Sequence, residues 1–232
     1  MSVIYSNLSS AIKQSRKDLY DFGDSINTNN WQGIEKPPEF LELLNVGFIA
    51  RMPATVDEMN DQCKPMQPWA DEHFEERVSG LPLNPPPSHV RWLKGNEKSL
   101  KGGKFSHSYP ERMHQVLFQA VELLKNDPST RQCFVPIWNP LDNELSLKNE
   151  RVPCTLGWHF ILRDGLLHCF YPMRSCDALR HFMNDVYFAA RLTRWMIIHS
   201  GIDAVPGLLT FQAVSFHCFK NDTYALGKTI KC

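Results

Sequence analysis

Hydrophobic and polar positions keep a clear period in parts of the chain and lose it in others. From Ala11 to Tyr20 apolar side chains recur at helical spacing, which predicts an N-terminal helix. Residues 21–110 are rich in Pro, Asn, Gly and Ser, and Leu81–Pro87 (LPLNPPP) reads as a loop. Two short helices are predicted in this half, over Pro38–Leu44 and Asp71–Val78. The pattern sharpens from residue 110. Pro110 suits the first turn of a helix. Met113, Val116, Leu117, Ala120, Val121 and Leu124 continue its apolar face, and Asn126-Asp127-Pro128 ends it. Cys133–Trp138 predicts a short strand. Thr155–Leu162 and Leu166–Tyr171 predict two more, joined at Arg163-Asp164-Gly165, because Asp-Gly between apolar runs is a hairpin signal. Asn184–His199 predicts a long amphipathic helix, and Leu208–Phe219 a final strand. Helices and strands in this order predict an α/β (α+β) layer structure, a single domain over residues 1–232.

Composition narrows the function classes. A chain of 232 residues with 43% hydrophobic positions can bury a core without staples. Its 25 basic and 25 acidic residues balance to a formal net charge of +0, which argues against a duplex nucleic acid partner. A small anion remains open to it, since that needs only a few local arginines. The 7 cysteines are scattered and form no CxxC pair, which argues against zinc and against a disulfide framework. A reducing cytoplasm fits that usage. No apolar run reaches the length of a membrane span, and the N-terminus lacks the form of a signal peptide.

The chemistry lies between Arg131 and Phe219. Pro153-Cys154-Thr155 puts a cysteine where an irregular segment enters a strand. Arg174-Ser175-Cys176-Asp177 follows, Asp185 opens the long helix, and His217 stands near the end of the last strand. A lone cysteine is more often a small core residue than a nucleophile. Cys154 differs because the Asp-Gly hairpin brings Arg174 to the neighbouring strand, and a thiolate needs nearby positive charge. An arginine beside a serine hydroxyl also makes a phosphate cradle. Asp177 and Asp185 have the alternative reading of helix caps or turn residues.

Pro153-Cys154, Arg174-Ser175-Cys176-Asp177 and His217, with Ser129-Thr130-Arg131 and the strand ending at Trp138-Asn139-Pro140, resemble the folate-dependent thymidylate synthase family. The resemblance covers residues 110–220. Within it, Thr155 after the cysteine, the Asn184-Asp185 pair, Met173 and Ile161-Leu162-Arg163-Asp164 are most similar to phage deoxycytidylate (dCMP) hydroxymethylases. The resemblance implies a twisted mixed sheet covered by helices, packed back-to-back in a homodimer. It implies 5,10-methylenetetrahydrofolate as cosubstrate and a pyrimidine nucleoside monophosphate, dCMP preferred, as substrate.

The implied mechanism begins with attack of Cys154 on C6 of the pyrimidine, which makes C5 nucleophilic toward the one-carbon unit. Water at the resulting exocyclic methylene gives hydroxymethyl, and hydride gives methyl. Roles follow by matching motifs. Arg174 and Ser175 would bind phosphate, Arg174 would keep the thiol ionised, and Arg131 would reach phosphate from the partner subunit. Asp177 would sit near the folate ring and ordered water, and His217 would contact the sugar. Asp185 would read the base, with Asn184 the alternative through a one-residue shift. Glu76, with Glu75 next, would order catalytic water, and Tyr109 would line the pocket near the cysteine. Gln132, Phe219 and Arg180-His181 depart from the family pattern, and little chain follows His217. Two rivals stay open: C5-methyl transfer to dCMP or dUMP, or a ribonucleotide version of the enzyme, and, motivated by these departures, a catalytically idle nucleotide-binding relative.

Overall fold

The structure is a computed structural model and describes residues 4–28, 38–92 and 100–231. A seven-stranded mixed sheet forms its centre, in the order β1 (Ile4–Tyr5), β3 (Phe40–Arg51), β7 (Val205–Phe219), β6 (Leu166–Asp177), β5 (Gly157–Arg163) and β4 (Phe134–Pro136). A further short strand, β2 (Asp24–Ile26), pairs with β3. The predicted hairpin is β5–β6. Its turn places Asp164 and Gly165 at φ 51° and 71°, the left-handed pair that a two-residue hairpin turn requires. Strands β6 and β7 run parallel, joined across the sheet by a helix of 19 residues, Phe182–Ser200.

Helices cover one face of the sheet. The N-terminal helix α1 (Leu8–Phe22) starts a turn earlier than its periodicity suggested, because Asn7 caps it by accepting from Ser10 N at 2.8 Å. It buries Leu8, Ala11, Ile12 and Leu19. Next come α2 (Val56–Cys63) and α3 (Trp69–Val78); the second contains the predicted Asp71–Val78. The single helix expected after Pro110 is two pieces, α4 (Tyr109–Met113) and α5 (Val116–Asn126). Then follow α6 (Asp142–Leu147), α7 (the Phe182–Ser200 crossover) and α8 (Thr223–Lys231). Along β4, β6 and β7 the exposed Phe134, Phe170 and Val214 alternate with buried neighbours Cys133, Cys169 and Ala213. The face away from the helices is therefore partly apolar. Among the described residues no helix is long and apolar enough to cross a membrane.

The expected helix over Pro38–Leu44 is instead the start of strand β3. Phe40, Leu41, Leu43 and Leu44 mimic helical spacing, but the segment pairs antiparallel with β7 from Phe40↔Phe219 to Arg51↔Leu208. Asn45, at φ 57°, interrupts the ladder and breaks the strand's alternation. Long-range pairing overrides the local pattern here.

Candidate active site

Cys154 is held against β6 by the backbone. Arg174 N donates to Cys154 O at 2.9 Å, and Leu156 N donates to Pro172 O at 3.0 Å. The segment before β5 is thereby tied to the strand that carries Arg174 and Ser175. Ser175 Oγ lies 3.5 Å from Cys154 Sγ, and Arg174 Nη2 lies 3.8 Å from it. The same guanidinium donates through Nε to Pro153 O at 2.8 Å and through Nη2 to Val152 O at 3.0 Å. Cys154 is half-buried, while Cys63, Cys133, Cys169, Cys176 and Cys218 are buried. Burial pushes each of those five thiols up.

Beneath Cys154 lies a buried polar cluster. Tyr109 OH donates to Thr155 Oγ1 at 3.2 Å, and Thr155 Oγ1 lies 2.9 Å from Tyr171 OH. Burial raises the Tyr109 hydroxyl to about 12. Cys176 Sγ donates to Asp185 Oδ2 at 3.7 Å. Burial raises the Asp185 carboxyl to about 7 against the opposing pull of Arg77. The Arg77 guanidinium is sandwiched 4.1 Å from the Tyr109 and Phe188 ring centroids. Its Nε and Nη1 are buried without a partner among the described residues.

A cavity opens beside this cluster, enclosing about 730 Å³ with its open mouth included. Trp69, His73, Ser88, Phe105, Tyr109 and Arg151 contribute to its walls, with His107 and His181. Cys154 is not in its lining. Cavity and thiol approach each other through Tyr109, whose hydroxyl is bonded to the residue after the cysteine. Burial lowers His181 and His217, in each case against the attraction of Asp177.

The structure brings Cys154, Arg174, Ser175, Tyr109 and Asp185 into one neighbourhood and sets the other expected residues differently. Asp177 Oδ1 accepts from Leu179 N at 3.0 Å and Arg180 N at 2.9 Å, so the turn-capping alternative describes that oxygen. Asp177 also pairs in register with His217 across β6 and β7. Asp185 is not the helix cap, because α7 begins at Phe182 and Asp185 N already donates to His181 O. Asn184 is turned away from the cluster: its Oδ1 accepts from Met66 N at 2.8 Å, which gives its amide a structural use. Glu76 reaches the cavity only through others. Its carboxylate accepts from Ser88 N and Ser88 Oγ, and it bonds His73. Glu75 is an ion-pair partner of Arg191 on the surface. Arg131 is exposed just before β4, at the end of the sheet. Sequence reading passed over His73 and Arg77, and took His181 only as part of a departure from the family pattern. His73 and Arg77 stand one helical turn apart, i and i+4, in the helix that contains Glu76, and that spacing was the available signal.

Comparison with known proteins bears on the same residues. The family model described as "Thymidylate synthase" matches residues 73–231. A candidate thymidylate synthase of Methanococcoides burtonii is 26% identical over 197 residues, which are 85% of this chain and 82% of that protein. The bifunctional dihydrofolate reductase-thymidylate synthase of Paramecium tetraurelia is 31% identical over 134 residues, 56% of this chain and 28% of that one. The structure of thermostable thymidylate synthase A from Bacillus subtilis superposes with a TM-score of 0.72 at 16% identity, covering 97% of this chain and 84% of that one. Its likeness extends to the fold of a twisted mixed sheet covered by helices. Members of the matched family are folate-dependent one-carbon transferases that act on a pyrimidine nucleoside monophosphate, with 5,10-methylenetetrahydrofolate as cosubstrate, and they are typically dimeric. With the family model covering more than half of its length, this chain belongs to the thymidylate synthase family.

Proposed function

We propose that the chain is a pyrimidine nucleoside monophosphate C5-hydroxymethyltransferase that prefers dCMP, with Cys154 as nucleophile. The observation that carries this reading is Asp185, a half-buried carboxyl in the cluster near Cys154, where a base-reading amide would serve uracil. A carboxylate oxygen accepts from the N4 amino group of cytosine and faces the O4 acceptor of uracil unfavourably. A buried mismatch of that kind costs about 1–3 kcal/mol.

The cavity residues fit the folate. Trp69, Phe105 and Tyr109 offer flat apolar walls to a heteroaromatic ring, and Arg151 and the histidines offer polar edges. When bound, methylenetetrahydrofolate supplies the one-carbon unit. The chain's own residues do the rest. Arg174 and Ser175 stand within reach of the sulfur and would bind the phosphate. Cys154 forms the bond to C6, which makes C5 nucleophilic. Tyr109, Thr155 and Tyr171 form a chain of hydroxyls centred on the residue after the nucleophile. Arg131 has its phosphate role from across a dimer interface, in keeping with its exposed place before β4.

A second reading, methyl transfer to dUMP, is favoured by the thymidylate synthase names of the relatives. A third, an idle nucleotide-binding relative, predicts no turnover at all. The test is incubation of the protein with dCMP and dUMP, each with methylenetetrahydrofolate, followed by mass spectrometry. A hydroxymethyl product from dCMP supports the reading. A methyl product with release of dihydrofolate contradicts it.

A further inference from the structure

His73 is a buried histidine in the cavity wall whose two ring nitrogens stand in different situations. It lies in α3 with its ring stacked on Trp69, centroids 4.9 Å apart and planes 17° apart, and edge-on to Phe188 at 5.8 Å. Nδ1 is 3.1 Å from Glu76 Oε2 and 3.1 Å from Ser88 Oγ. Ser88 donates its one hydroxyl proton to Glu76 Oε2, and its backbone N–H goes to Oε1. An ionised carboxylate only accepts, and a hydroxyl that has spent its proton only accepts. Nδ1 must therefore be the donor, and in a neutral ring Nε2 is left with its lone pair.

The ring is neutral. Burial, with Arg77 next, lowers His73 to about 4 although Glu76 pulls the other way. Nε2 has no hydrogen bond to any of the described residues, and it is not among the sealed, unpartnered atoms. The ring lines the cavity together with Tyr109. An unprotonated acceptor is thus presented in the wall of the cavity that Tyr109 also lines, with Glu76 and Ser88 fixing its tautomer.

We propose that His73 Nε2 holds and deprotonates the water that adds to the exocyclic methylene, with Glu76 and Ser88 as positioning residues. This inference rests on the hydroxymethyl reading. In the step, the water oxygen forms a bond to the exocyclic carbon as its O–H bond breaks, and the proton passes to Nε2. The electron pair of the exocyclic double bond moves into the pyrimidine and then restores C5=C6 as the C6–S bond breaks. Cys154 leaves as thiolate, and His73 returns its proton to solvent. No oxidant or reductant is consumed, which distinguishes this outcome from methyl transfer.

The experiment compares wild type with His73→Phe and Glu76→Gln, reading two quantities from each protein. One is formation of hydroxymethyl product. The other is exchange of the C5 hydrogen of dCMP with solvent, which precedes the water step. His73→Phe keeps the ring and removes the acceptor. It is expected to lower product formation by about 100-fold or more while leaving exchange within a few-fold of wild type. Glu76→Gln is expected to shift the same balance, because a carboxamide can donate to Nδ1 and move the proton to Nε2. Product formation within a few-fold of wild type in folded His73→Phe overturns the proposal, and so does equal loss of both quantities. Should that variant fail to fold, ¹⁵N NMR of the wild-type ring decides. Protonated Nδ1 with bare Nε2 supports the proposal, and protonated Nε2 overturns it. A wild type that neither exchanges nor turns over any pyrimidine nucleotide defeats the hydroxymethyl reading instead.

Discussion

In the proposed function, Cys154 and Asp185 divide the residue-scale chemistry between them. Among the described cysteines Cys154 is the half-buried one, with Ser175 Oγ and Arg174 Nη2 at 3.5 and 3.8 Å. Cys154→Ala is expected to abolish turnover and leave nucleotide binding intact, as titration calorimetry with dCMP beside a product assay will show. Retention of a tenth of the activity would refute the assignment. Asp185→Asn, assayed on dCMP and dUMP in parallel, should move the kcat/KM ratio toward dUMP by about 10- to 100-fold, the equivalent of about 1.4–2.8 kcal/mol. An unchanged ratio would remove Asp185 from base reading. The same substitution has a consequence for stability. Burial raises the Asp185 carboxyl from 3.8 to about 7. A raised folded value means the wild type carries no penalty below pH about 4, loses stability as pH climbs from about 4 to about 7, and stays at the lower value above that. Asp185→Asn should therefore be neutral near pH 4 and stabilising near pH 8, by on the order of 1–4 kcal/mol. Urea denaturation at the two pH values reads the difference.

Elements explain why part of this was legible in sequence and part was not. The Asp-Gly turn announced β5–β6, and with it the approach of Arg174 to Cys154, because a two-residue turn dictates register locally. Strand β3 was not legible. Its leucines imitate a helix, and its identity depends on β7, more than 150 residues away. Sequence favoured Asp185 over Asn184 as the expected base reader; α7 begins at Phe182, which turns Asn184 to Met66 and Asp185 to Cys176. Glu76 lies in a helix that lines the cavity but is one contact removed from it, since i+3 spacing sets it against His73. The β4–β5 pairing gives a further test. A Cβ at Gly157 would meet Val135 O at 2.6 Å, a backbone atom that cannot swing away. Gly157→Ala should lower stability by about 1–3 kcal/mol, measured by thermal denaturation. An unchanged melting temperature would mean that the pairing is looser than described.

At the scale of the whole molecule, the sheet leaves one face with exposed Phe134, Phe170 and Val214, and Arg131 stands exposed at the same end as Phe134. A homodimer joined through that face would bury the patch and carry Arg131 toward a neighbouring site. Arg131→Ala and Cys154→Ala should each be inactive alone. Mixed and allowed to exchange subunits, they should regain activity up to about a quarter of wild type, because half the dimers then hold one intact composite site. No recovery on mixing, or a fully active monomer in sedimentation, would contradict this arrangement. The expectations about turnover all depend on attack by Cys154 at C6, which makes C5 reactive. The measurement that tests this most directly is release of tritium from [5-³H]dCMP in the presence of methylenetetrahydrofolate. The wild type should release label into water and Cys154→Ala should release none. Release that survives in Cys154→Ala, or no release by the wild type from any pyrimidine nucleotide, would contradict the account.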